Sequence, residues 1–218
     1  MDNVSLNKAS SLFWLGRYAE RAYTLSSYII SYSDKMVDND ETAYLDFCGR
    51  LGIEEKFKDK YDFFNKIISD ENNLFSISHS LMLAYDNAIT LRDQIDTETV
   101  AYIQLAYNSV LRSFNKDVNI MDLQKILDYV MSFWGAADDF ITDEDVRCTI
   151  KAGKFTERVD LFCRFEKGEE YIKSAKHRLY NYIKRLDKNH SCDDLKALLE
   201  KDGSDFSETE QCILQLFR

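Results

Sequence analysis

Two six-residue blocks of this sequence carry the residue types and the spacing that chemistry needs. Gly16-Arg17-Tyr18-Ala19-Glu20-Arg21 and Gly153-Lys154-Phe155-Thr156-Glu157-Arg158 both read G-[RK]-[YF]-x-E-R. On a helix, the first basic residue and the Glu lie three apart on one face, with the closing Arg beside them. The leading glycine lets another helix backbone approach closely. The second block begins 137 positions after the first, too far for a solenoid period. The better account is a pseudo-two-fold: two long helices turning equivalent stripes towards each other. Brought together, the stripes would place Arg17, Arg21, Lys154 and Arg158 around Glu20 and Glu157. That excess of positive charge asks for a further acid, for which Glu98 is the candidate, or for a bound carboxylate or phosphate on paired Arg forks. Arg92 would add still more positive charge. Two outcomes follow from such a seam. It is an ion network that fixes the register of the helices, or it is a substrate site with Glu20, Glu157 or Glu98 as acid or base.

Other chemistries lack their signatures. His79, His177 and His190 show no ligand spacing, and no Glu-x-x-His pair occurs, so no metal is expected. Cys48, Cys148, Cys163, Cys192 and Cys212 are odd in number and form no C-x-x-C, which indicates free, mostly buried thiols. Nothing marks Cys163, in the second block's helix, as activated. No Gly-rich phosphate loop is present, so no cofactor is expected of this chain itself.

The elements that must hold the two blocks are helices. Proline is absent, where ordinary usage of about 5% would give roughly ten, and there are only 7 glycines. Sheets and long loops need such punctuation, so the composition implies an all-α fold, a single multi-helix bundle. A helix over Ser10–Ser33 would carry Trp14, Leu15, Tyr18, Ala22, Leu25 and Ile29 on one side. On the other it would carry Leu12, Ala19, Tyr23 and Ile30. A helix apolar nearly all round is central and buried, so its few charges must be paired.

A polar break at Asp34–Asp40 precedes a helix from Glu41 to the Gly49 and Gly52 pair. Further helices are expected over Glu54–Ser69, from Ser76 or Ser78 to Ile95, and from an Asp96 cap to Phe114. Arg92 would share the apolar stripe of the second of these. Asp117–Phe140, Asp143–Phe165 and the amphipathic Glu169–Lys188 follow, the last with Tyr171, Ala175, Leu179, Tyr182 and Leu186 turned inward. Short helices over Cys192–Glu200 and Ser207–Phe217 close the chain. Residues 1–190 are expected to form the bundle, with 191–218 a short helical extension packed on it or loosely attached.

A net charge of −10 and a pI near 4.9 argue against nucleic acid or an anionic membrane as partner. The start, MDNVSLNKAS, lacks the pattern of a signal peptide, and no apolar run approaches the length of about 20 residues that a membrane span needs. A cytoplasmic protein is expected. The lysine face of the Glu169–Lys188 helix reads as a solvated face, with too few aromatics for a nucleic-acid platform.

The blocks also resemble the opening and closing motifs of the bacterial alpha-E domain family. Leu12-Phe13-Trp14-Leu15-Gly16-Arg17-Tyr18-Ala19-Glu20-Arg21-Ala22 is similar to that family's L-Y-W-x-G-R-Y-x-E-R-A. Gly153, Lys154, Glu157, Arg158 and Asp160 are similar to its G-R-x-x-E-R-A-D, with Lys for the first Arg. Between them, Asn73, Ser76 and Ile77 fit N-P-S-S-I with Leu74 for Pro. Ala84, Asn87 and Ala88 fit A-R-E-N-A-R with Tyr85 for Arg and Asp86 for Glu. Arg92-Asp93, Ile95 and Glu98 fit R-D-x-I-S-x-E-x-W with Asp96 for Ser and Val100 for Trp.

The resemblance spans roughly Ser10 to Phe165 and identifies a short, divergent member. It implies an all-helical domain of unestablished activity, of a kind encoded beside or fused to an ATP-grasp-type ligase. The expected role is therefore an accessory or binding protein that acts with such a ligase, or with a peptide substrate, in forming or modifying peptide or amide bonds. The alternative is an enzyme whose Arg17, Arg21, Arg92, Lys154 and Arg158 hold an anionic substrate. A structural homodimer is a third reading.

Overall fold

The structure is a computed structural model describing residues 6–38, 40–54, 56–113, 120–186, 193–200 and 206–217. Every regular element among these residues is a helix. In order they are α1 (Leu6–Asp38), α2 (Ala43–Leu51), α3 (Lys60–Ser69), α4 (Ile77–Thr90), α5 (Thr97–Ser113), α6 (Ile120–Phe140), α7 (Glu144–Arg164), α8 (Glu169–Leu186), α9 (Asp193–Glu200) and α10 (Ser207–Leu216). Phe114, Asp117, Lys188, His190 and Cys192, named from the sequence, lie outside the described residues.

Helix α1 occupies the centre, packed against α7, α4, α6 and α2. Its Leu12, Leu15, Ala19, Ala22, Leu25 and Ile29 are buried in the larger core. Its Phe13 belongs to a second cluster built with α7, α8, α9 and α10. Being walled on both sides, it is apolar nearly all round, as its sequence requires. It is also longer than the sequence suggests. The polar stretch from Asp34 does not break it, because Tyr32 and Met36 continue the buried stripe at i+4. Lys35, in the last turn, suits the helix dipole and lies 4.4 Å from the Tyr32 ring centroid.

Two boundaries differ from expectation for reasons of capping. Helix α3 starts at Lys60 and not at Glu54, because the Asp59 carboxylate accepts the amides of Tyr61 and Asp62. Tyr61, in its first turn, is exposed. Helix α4 starts after Ser76, whose hydroxyl accepts the His79 amide, but it ends at Thr90 and not at Ile95. Leu91 and Ile95 are buried from a tight turn in which the Gln94 and Ile95 amides both meet the Leu91 carbonyl. That turn removes Arg92 from the helical stripe and leaves it exposed.

Helix α7 is capped by Asp143 and is buried along most of its length. The amphipathic α8 covers it through Ala175, Leu179, Ile183 and Leu186, although Tyr171 points outward. The acidic end of the chain is packed: Phe206, Ile213 and Phe217 are buried, and Phe217 stacks on Phe13 with centroids 4.4 Å apart. Cys48, Cys148 and Cys163 are buried and Cys212 partly so, with no disulfide among the described cysteines. No helix of the described residues is long and apolar enough to cross a membrane.

Candidate functional site

The site is built where α1 and α7 touch. Contacting positions ascend together along both helices, from Phe13 with Gly153 to Tyr28 with Phe165, so the two run parallel. Their closest approach is at the two glycines, and it is reciprocal. A Cβ on Gly16 would overlap the carbonyl oxygen of Ile150, and one on Gly153 would overlap that of Phe13. The next neighbours are the backbone nitrogens of Lys154 and Arg17, at 2.9 and 3.2 Å. Only glycine permits this spacing, and it sets the charged side chains one turn further on against each other.

Glutamate and arginine then exchange partners across the pair. Glu157 is fully buried and has both oxygens filled from α1. Arg17 Nε donates to Oε2 at 2.7 Å, and Arg21 Nε donates to Oε1 at 2.5 Å. In the other direction, Arg158 Nε donates to Glu20 Oε1 at 2.5 Å, where the Thr24 hydroxyl also donates at 3.1 Å. Arg17 completes its fork on Glu210 of α10, with Nη2 2.6 Å from Oε1. Its guanidinium also lies 5.0 Å from the Trp14 ring centroid. Burial raises the Glu157 carboxyl's pKa, but Arg21 and Arg17 outweigh that and hold it below the usual range. Burial works equally against the Arg17 charge, and Glu157 with Glu210 more than offsets it.

The two halves are not equivalent, and the difference starts with Lys154, which stands where Arg17 stands in the first block. Its ammonium makes no bond to Glu20. It lies 3.9 Å from the ring centroid of Trp134, contributed by α6. Burial drives its pKa from 10.5 down to about 7, with Glu20 opposing and Lys151 and Arg158 assisting. A lysine offers a point charge where arginine offers a fork. Glu20 therefore keeps Oε2 buried and without a hydrogen-bond partner. Glu20 also lines a cavity of about 230 Å³ between α1 and α7, together with Tyr23, Thr24, Ser27, Tyr28, Arg158, Phe162 and Lys167. The Tyr28 hydroxyl is a second buried polar atom without a partner, and burial pushes its pKa up to about 12.

Of the residues picked from sequence, Arg17, Glu20, Arg21, Lys154, Glu157 and Arg158 are thus brought together. Arg92 and Glu98 are not. Arg92 lies on the exposed turn after α4, and Glu98 is exposed in the first turn of α5. The extra acid comes from Glu210 instead. Its signal is legible in hindsight, since Phe206, Glu210, Ile213 and Phe217 fall on one helical stripe, an acid among three core residues. Among the described residues no group of acids, histidines and cysteines could hold a metal.

Comparison with protein-family models identifies the fold's family. The Alpha-E profile, described as a predicted alpha-helical domain with a conserved ER motif, covers residues 7–200. The chain belongs to this family. No curated protein and no solved structure matches it. The two Glu-Arg pairs of this chain, Glu20-Arg21 and Glu157-Arg158, are the ones that exchange partners between α1 and α7.

Proposed function

We propose that this Alpha-E domain is a helical binding protein and not a catalyst in its own right, working beside an ATP-grasp-type ligase in forming or modifying a peptide or amide bond. The observation that supports a binding role is the filled Glu157 half of the seam. Both carboxylate oxygens are taken by arginines, and Arg17 is shared between Glu157 and Glu210, so neither the Glu157 carboxylate nor the Arg17 fork is free to act on a substrate. A group that shuttles a proton must be able to release its partner, and a fully buried carboxylate between two guanidiniums cannot do so cheaply. The nucleotide would be bound by the partner, since this sequence has no Gly-rich phosphate loop. The identity of that partner rests on the family resemblance, as does its peptide or amide chemistry.

The test is direct. The purified chain is mixed with an ATP-grasp ligase from the same genome, and complex formation is followed by size-exclusion chromatography with light scattering. Ligase turnover is measured with and without the chain. Co-elution with a change in turnover is expected. Separate elution with unchanged turnover would overturn the accessory role.

A further inference from the structure

Helix α10 sits on the bundle as a bound peptide would. Phe206, Glu210, Ile213 and Phe217 turn inward at i, i+4, i+7 and i+11, with Thr209 beside them, while Ser207, Glu208, Gln211 and Gln215 are exposed. That is the anchor spacing of an amphipathic helix laid in a groove. Two of the anchors meet α1 directly and on one stripe. Phe217 stacks on Phe13, and Glu210 Oε1 lies 2.6 Å from Nη2 of Arg17, four residues further along α1. Phe206 and Ile213 enter the same apolar cluster as Phe13 and, from α7, Phe155 and Val159.

Three features make this helix separable. It has 10 residues, fewer than the roughly 12–15 that a helix needs to hold its shape alone in water. Its first turn has no side-chain cap. It also lies beyond residues 7–200, the span matched to the family, whereas Phe13, Arg17, Phe155 and Val159 fall within that span. The groove therefore belongs to the matched domain and its occupant does not. Of the two carboxylates on Arg17, Glu210 is also the one that can be exchanged. Glu157 is sealed between α1 and α7, but the Glu210 side chain is 22% exposed, and an ion pair that water reaches opens at little cost.

We propose that this groove is a docking site for an amphipathic helix of a partner protein, and that α10 fills it from within the chain until that helix arrives. The partner helix carries apolar, acidic, apolar and aromatic residues at i, i+4, i+7 and i+11. Its carboxylate takes the place of Glu210 on Arg17, and its ring takes the place of Phe217 on Phe13. The acid selects the partner, because an apolar or basic residue there would leave the buried Arg17 guanidinium short of its second carboxylate. Docking of that helix expels α10, so capture of the partner and release of α10 are one event. The groove is a property of the isolated chain and its test involves no ligase, so it stands or falls separately from the accessory role.

The probe is a fluorescent synthetic peptide of residues 204–218, whose binding to the full chain is read by anisotropy under reducing conditions. A second peptide keeps only the four anchors on an alanine–lysine helix, which tests the pattern apart from the sequence. The receptors are the wild-type chain and two variants of it, Phe217→Ala and Glu210→Gln, which weaken the resident helix and leave the groove's own residues in place. Both peptides are expected to bind the variants about tenfold more tightly than wild type, whose own α10 competes. Glu210→Gln made in the peptide should weaken its binding about tenfold, the loss of one charge-assisted hydrogen bond. Unlabelled alanine–lysine peptide should speed amide exchange over residues 207–216 of wild type as α10 is expelled. No binding to any of the three proteins, equal affinity for wild type and both variants, or undiminished binding of the Gln peptide would overturn the proposal. So would a wild-type dimer in light scattering that Phe217→Ala dissolves, since the occupant would then be a second copy of this chain.

Discussion

Removing the carboxylate of Glu157 should cost more than removing that of Glu20, and the structure gives the reason and the size. Glu157→Ala strands two guanidiniums at once. Arg17 has a side chain only 4% exposed and keeps a single partner, Glu210, whereas Arg21 is 28% exposed and can turn partly to water. Breaking a buried pair by deleting one partner costs about 3–5 kcal/mol. For a chain of this size each kcal/mol lowers Tm by roughly 2–4 °C, so a fall of about 6–20 °C is expected. Glu20→Ala strands one guanidinium, Arg158, with 21% of its side chain already in solvent. It also frees the buried oxygen that had no partner, so a loss of about 1–3 kcal/mol is expected. Circular dichroism melts and urea titrations of both variants measure the two losses, and a double-mutant cycle with Arg17→Met isolates the coupling to Glu157. Equal losses, or a larger one for Glu20→Ala, would refute the asymmetric account of the seam.

Three further outcomes follow from the same geometry. Gly16→Ala and Gly153→Ala should each destabilise by more than about 2 kcal/mol, because the new methyl meets backbone that cannot yield locally. Gly135→Ala, with nothing within 4 Å of its Cβ, should instead stabilise α6 by about 0.5–1 kcal/mol in the same melts. Lys154 has a folded pKa of about 7 against an ordinary 10.5, so folding releases its proton between those values, and its contribution to stability rises with pH across that window. Between pH 6.5 and 9 the rise is roughly 2–3 kcal/mol, and the difference between wild type and Lys154→Met should flatten by that amount. Finally, Glu210→Gln should lower Tm by a few degrees and loosen α10, read as faster amide exchange over residues 207–216, since the neutral amide is a weaker partner for Arg17.

How much of this was legible beforehand depends on the kind of signal. The all-helical class came from missing proline and scarce glycine, and the centrality of α1 came from apolar residues on every side of it. The pairing of α1 with α7 was readable because one pattern occurs twice, and the parallel register could have been guessed from it. What was not readable is whatever depends on a third element. Trp134 and Glu210 reach the seam from α6 and α10, and neither carries a mark in its own stretch beyond its place on a helical stripe. Arg92 was misplaced because periodicity continues to Ile95 while the backbone does not. A turn can bury Leu91 and Ile95 as well as a helix can, and the pattern of apolar residues does not distinguish them. The capped start of α3 is a similar case, in which Asp59 settles locally a start that the sequence pattern places earlier, at Glu54.

The identity of one basic residue organises the seam. Had position 154 carried arginine, its fork would reach the second oxygen of the facing glutamate as Arg17 does on Glu157, and both halves would be closed. Lysine is content with an aromatic face, and Trp134 provides one at 3.9 Å. The near-symmetric pair of helices is thereby divided into a clamp and an opening. The clamp, around Glu157, holds α1, α7 and α10 in one register. The opening, around Glu20, keeps a sealed carboxylate oxygen without a hydrogen-bond partner. Lys154→Arg tests the division in one step: it should raise Tm, through a new bond to the Glu20 oxygen that has no partner. An arginine there that left Tm unchanged would mean that the lysine is not what keeps the oxygen free.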